Sequence, residues 1–269
     1  MTNRERLFAS FAHEQPDRTP YQIGFTQKAM AAMVEHYGSD DFLGQIDNCF
    51  HGVAPKPGPK DCWLDEDTWQ DEFGVQWDRT VDRDIGNPRN CMIPERSLDD
   101  LELPDPRAPG KFEGFAQQVA QADGKCVQFQ IGFSLFERAW TLRGMESLFV
   151  DMLEAPEFVA ELLDVICDYN CALVEQAVQH DIDVVHFGDD WGCQRGLLMG
   201  PDCWERFLKP RLARQYAVVE DAGKFVSIHS CGMVQEVFPQ LIEMGLDCFN
   251  PFQPEVMDVY EMKRLYGDR

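Results

Sequence analysis

The sequence of 269 residues has no run of about 18 apolar residues, so it predicts no membrane-spanning helix. Its start, Met1-Thr2-Asn3-Arg4-Glu5-Arg6, lacks the apolar stretch of a secretion signal. The ten cysteines are scattered and form no C-x-x-C pair. Without a secretion signal they read as reduced thiols in the cytoplasm, not as a disulfide framework. No G-x-G-x-x-G follows a predicted strand, which removes support for a dinucleotide-binding fold. Positive charge is scarce: 24 Lys and Arg stand against 47 Asp and Glu, for a net charge of −23. Such a surface repels phosphate backbones and anionic lipid, so neither nucleic acid nor membrane is expected as a partner. A small anionic substrate would need local cations. Arg138, Arg143 and Arg195, near predicted strand ends, are the candidates.

What the chain does have is rhythm. Thr19–Phe25 reads as a short first strand and residues 27–37 as a helix ending at Gly38. Residues 39–110 are rich in Pro, Gly and acids and read as an excursion from the main architecture. Phe73–Arg79 is expected to form a hairpin with Cys91–Ile93, and Trp63, Trp69, Phe73 and Trp77 to be packed. From residue 111 onward helices and strands alternate. Strands are predicted at 126–132, 183–188, 225–229 and 247–250. Helices are predicted at 111–123, 135–153, 157–179, 201–222, 234–244 and 254–265. Strand–helix alternation predicts a parallel sheet. The best fit is a single α/β domain, a (β/α)8 TIM barrel. The chain stops just after a helix, where a strand should follow, so the barrel is expected to be incomplete at its C-terminal end.

Polar groups gather after four successive predicted strands. They are Phe133-Ser134-Leu135-Phe136-Glu137-Arg138, Gly188-Asp189-Asp190-Trp191-Gly192, His229-Ser230-Cys231-Gly232 and Asn250-Pro251-Phe252-Gln253. Barrel active sites lie at such strand ends. His229 and Cys231 are two apart, so they project the same way from a strand end. Imidazole and thiolate are zinc ligands, but a zinc site needs more than two, and a buried thiol beside a satisfied histidine has the same sequence. Glu137 is a candidate acid/base group, or an ordinary partner of Arg138 at a helix start. Asp190 is a candidate catalytic carboxylate beside Asp189, or a turn residue. His186 alternates with Gly188 and Asp190 and so could face the barrel interior, but a core role is the default for it, as core packing is for Trp140 and Trp191, which could otherwise floor a pocket.

These segments, with Arg4-Glu5-Arg6 and Pro16-Asp17-Arg18-Thr19-Pro20, resemble the uroporphyrinogen decarboxylase superfamily. The resemblance implies a (β/α)8 barrel. One branch decarboxylates uroporphyrinogen, in porphyrin biosynthesis, without a cofactor. The other holds cobalamin-dependent methyltransferases that exchange methyl groups with a corrinoid protein. The decarboxylases carry an M-R-Q-A-G-R-Y segment after the first strand. Here that place holds Phe25-Thr26-Gln27-Lys28-Ala29-Met30, without arginine. The methyltransferase branch carries H-x-C and a later cysteine. His229 and Cys231 match the pair, and the later cysteine is expected beyond Arg269, with Cys193 and Cys248 as local stand-ins. The resemblance thus implies zinc on His229 and Cys231 and a corrinoid protein as partner; the strand-end reading puts Glu137 and Asp190 forward as catalytic residues and Arg138, Asp189 and Gln253 at the substrate. A carboxy-lyase acting on a tetrapyrrole and a non-catalytic binding module are the alternatives.

Overall fold

The structure is a computed structural model that describes residues 1–268. Strand β1 (Phe50–Val53) opens a parallel sheet. Four short strands follow: β2 (Cys62–Trp63), β3 (Thr68–Gln70), β4 (Gln76–Asp78) and β5 (Asn87–Pro88). They form a separate antiparallel sheet within the 39–110 excursion. The parallel sheet resumes with β6 (Cys126–Ile131) and β7 (Val184–Gly188). A two-stranded ribbon, β8 (Gly192–Cys193) with β9 (Gly196–Leu197), precedes β10 (Phe225–His229) and β11 (Cys248–Asn250).

The parallel order is β1-β6-β7-β10-β11, which is chain order without reversal. A doubly wound sheet reverses its order at a switch point. A sheet that always advances the same way is barrel wall. The two faces confirm this. Val127, Phe129, Ile131, Val185, Phe187, Val226 and Ile228 face the helices and belong to the main core. The opposite face carries Gln128, Gln130, His186, Ser227, His229, Cys248 and Asn250, as the strand registers require. The strands are therefore not apolar on both faces, and the polar face is the barrel interior. At its lower end Leu7, from helix Asn3–Phe11, packs with Cys49, Cys126 and Val184.

The helices follow their sequence signals closely where the periodicity is long. In Pro156–Ala177 the buried positions Val159, Leu162, Leu163, Ile166, Asn170, Leu173, Val174 and Ala177 recur at three- and four-residue spacing. The span 201–222 is one rod broken by a π turn, Trp204–Leu208, just before Lys209–Asp221. Pro210 is the reason: it has no N–H to donate and clashes with the preceding turn.

Several expectations are corrected. Thr19–Phe25 is not a strand. It runs beside the start of β1, with Tyr21 O accepting from Cys49 N, but Asn48 and Gln22 side chains make the other bonds to it. The partner of β4 is β5, not Cys91–Ile93; Met92 N and Ile93 N donate instead to Leu142 O. Trp77 and Phe73 are buried, whereas Trp63 is 56% exposed. The last helix starts only at Val259, where Asp258 caps the Tyr260 and Glu261 amides at 2.9 Å. The helix predicted at 111–123 shrinks to Phe115–Ala120, behind Gly114 at φ +77°. No described helix is long and apolar enough to cross a membrane.

Candidate functional site

The site is built where β6, β7, β10 and β11 end. After β6 the chain turns through Phe133, which holds φ +50°, a conformation rare for a bulky side chain. Ser134 N then donates to Gly188 O at 2.8 Å, tying this turn to the end of β7. Helix Phe136–Arg143 starts here. Its first amides converge on Asp189: Leu135 N at 3.3 Å, Phe136 N at 3.0 Å and Glu137 N at 2.7 Å. Trp191 Nε1 donates to the same carboxylate at 2.5 Å. Asp189 is fully buried, and burial pushes its pKa up to about 6 against these donors. Expected at the substrate, it serves the helix start instead, with its oxygens taken.

Asp190 turns the other way. Its Oδ1 accepts the Cys231 N–H at 2.7 Å and lies 3.5 Å from His229 Nε2. Cys231 Sγ lies 3.5 Å from the same nitrogen. The ligand atoms of Asp190, His229 and Cys231 all fall within 4.8 Å of one another. Among the described residues they are the one such group of three or more His, Cys, Asp or Glu side chains. The side chains of His229 and Asp190 are 38% and 37% exposed, so the cluster is open to a ligand. Burial, then the Asp190 carboxylate, pushes the Cys231 thiol up to about 11. Asp190, expected as a catalytic carboxylate, is the third member of this cluster, whereas a cysteine beyond Arg269, or Cys193 or Cys248, was expected beside His229 and Cys231.

Glu137 lies at the edge of this cluster. Its carboxyl accepts the Asp190 N–H, and burial, then the charges of Asp189 and Asp190, push it up to about 8. Gln253 Oε1 accepts the Gly232 N–H and so grips the turn after Cys231. The loops also interlock through glycines. A Cβ on Gly232, at φ +83°, would meet Gly192 C at 2.3 Å. Sequence reasoning treated His186 as core. Its Nδ1 is 2.9 Å from Ser227 Oγ on the polar inner face, and burial, then His229, lower its pKa to about 4. Strand parity alone puts His186 on that face, two residues before Gly188.

Arg138 is engaged with the excursion. Its Nη1 donates to Asp71 at 2.7 Å, and its guanidinium covers the Phe73 ring at 3.9 Å. It lines a cavity of about 390 Å³ with Trp69, Phe133 and Tyr169, under the excursion. Arg143 is consumed by Asp151 and by the carbonyls of Ile93 and Pro94.

Residues 132–263 match the family model of uroporphyrinogen decarboxylase (URO-D). The match spans 132 of the 269 residues, and over that span the chain is similar to the URO-D family. The matched span starts where β6 ends and contains Glu137, Asp190, His229, Cys231 and Gln253. The fold agrees with a solved structure: a methyltransferase from Methanosarcina mazei superposes with a TM-score of 0.68 at 15% identity. The match covers 100% of this chain and 81% of that one. No curated protein matches the sequence.

Proposed function

We propose that this protein is a zinc-dependent methyltransferase of the URO-D superfamily, moving a methyl group between a corrinoid protein and a small-molecule acceptor. One observation carries the reading. Nε2 of His229 is 3.5 Å from both Cys231 Sγ and Asp190 Oδ1. Tetrahedral zinc, at ~2.0–2.3 Å from N, S and O ligands, spaces them about 3.4–3.6 Å apart. The three side chains therefore fit zinc, and three protein ligands leave a fourth position for an acceptor, as catalytic sites do. When bound, the metal would hold an acceptor thiol or hydroxyl as its anion at neutral pH. Asp190 fixes the Cys231 backbone while offering its own oxygen. Glu137, hydrogen-bonded to the Asp190 amide, is the group placed to carry a proton. The M. mazei neighbour is a methyltransferase, which supports the branch. The cluster and its neighbour Glu137 bring two acids together, which favours a metal cation there over the carboxylates of a tetrapyrrole. Ten free thiols favour a cytoplasmic location.

Metal analysis of the purified chain tests the reading. The expected result is about one zinc per chain, lost in C231A and H229A and weakened in D190N. Methyl transfer from a methylated corrinoid protein to a thiol should disappear with it. Absence of metal together with carbon dioxide release from uroporphyrinogen would establish a carboxy-lyase instead. Stable folding with neither metal nor activity would leave a binding module.

A further inference from the structure

His229 enters the cluster through Nε2, while its other ring nitrogen, Nδ1, lies 2.9 Å from Oδ1 of Asn250. The two residues are register partners on β10 and β11, so their side chains leave the same face of the sheet next to each other. The Asn250 backbone is held too, because its carbonyl accepts the Ser230 N–H at 2.8 Å. A neutral imidazole has one N–H and one lone pair, on different nitrogens. An acceptor at Nδ1 draws the proton there. The Nε2 lone pair is then left free, on the side of Cys231 and Asp190.

We infer that Asn250 is a positioning residue whose side-chain oxygen fixes the tautomer and ring orientation of His229, making Nε2 the ligand atom. The inference rests on the metal reading above. An aspartate would supply the same acceptor, but with a further negative charge beside Asp190 and Glu137. The amide supplies it without that charge. Its position is set by the sheet rather than by a loop, since the β10–β11 register brings Asn250 opposite His229. Rigid elements hold ligands more accurately than loops do.

Two measurements on the 269-residue chain test this. The first is zinc affinity, by competition with a chromophoric chelator, in the wild type, N250A and N250D. The second is the His229 tautomer in the metal-free protein, from long-range ¹H–¹⁵N NMR couplings. N250A should bind zinc about 10–100-fold more weakly, as loss of a ligand's hydrogen-bond partner typically does. N250D keeps the acceptor and should restore the affinity. The metal-free wild type and N250D should carry the proton on Nδ1, and N250A should shift it toward Nε2. Equal urea midpoints for metal-free N250A and N250D would exclude general unfolding as the cause. Unchanged zinc affinity and an unchanged tautomer in N250A would overturn the inference while leaving the metal reading intact. If the wild type binds no zinc, the metal reading fails, and the tautomer shift alone decides whether Asn250 orients the ring.

Discussion

Gly232 and Gly223 both hold left-handed backbone, at φ +83° and +66°, but their surroundings differ. A Cβ on Gly223 meets nothing within 4 Å, whereas one on Gly232 runs into the backbone of Gly192 and Cys193. Gly223→Ala should therefore cost only the conformational penalty, about 1–2 kcal/mol. Gly232→Ala should cost clearly more, because backbone cannot move aside as a side chain can. It should also separate the His229–Cys231 turn from Asp190 and weaken zinc binding. Urea unfolding of both variants checks the first expectation, and chelator competition the second. Equal losses of stability would mean that the two loops are not in contact in solution. In the sequence Gly232 is only the glycine that follows the H-x-C pair, and which segment packs against it is decided by the fold.

At the scale of elements, two carboxylates hold helices in place from a distance. Asp189 caps helix Phe136–Arg143 although it lies more than forty residues further along the chain. Asp189→Ala would leave buried N–H donors unpaired and should destabilise by about 1–3 kcal/mol, read from the urea midpoint. Asp151, in helix Met145–Glu154, is buried against Arg143 of the preceding helix and Arg96 of the excursion, each at 2.7 Å. Burial alone would raise its pKa, but the two guanidiniums outweigh this and leave it below the usual carboxylate range. A lowered folded-state pKa contributes stability above the unfolded value and loses it as pH falls through the folded one. Asp151→Asn should therefore cost most near neutrality, about 3–5 kcal/mol for a broken buried pair. The difference from wild type should shrink as the pH is lowered below about 4. A difference that stays constant between pH 7 and pH 3 would assign the loss to packing instead. The sequence predicted one helix over 135–153. The break at Gly144 that makes this clasp possible was visible only as a glycine in a helical pattern.

At the scale of the whole molecule, β1 and β11 each have a single bonded neighbour among the described residues. The β11 edge is thus open and the β1 edge is bordered only at its start, by residues 19–25, and open edges pair with other chains. The net charge of −23 opposes that pairing. We expect the 269-residue chain to self-associate, and more strongly when salt screens the charge. Sedimentation velocity at low and at high salt checks this. A monomer at every salt concentration, unfolding in one cooperative step, would show that the edges are covered in solution.

The sequence by itself determined what is local. Strand alternation placed His229 and Cys231 on one side of a strand end, and helical spacing marked the buried stripe of Pro156–Ala177. The order of alternating elements was enough to predict barrel wall, and the parallel sheet agrees. Thr19–Phe25 misled because an extended, alternating segment becomes a strand only if a neighbour offers ladder bonds, and here side chains take that place. What the tertiary structure decided is which strand ends meet. Asp190 and Asn250 stand 39 and 21 residues from His229 (229 − 190; 250 − 229), and no spacing rule links them to it. Their distances to the ring are set by the parallel register of β7, β10 and β11 and by the interlocked glycines of their loops. Register depends on packing over the whole core, so the approach of Asp190 and Asn250 to the His229 ring becomes visible only once the chain has folded.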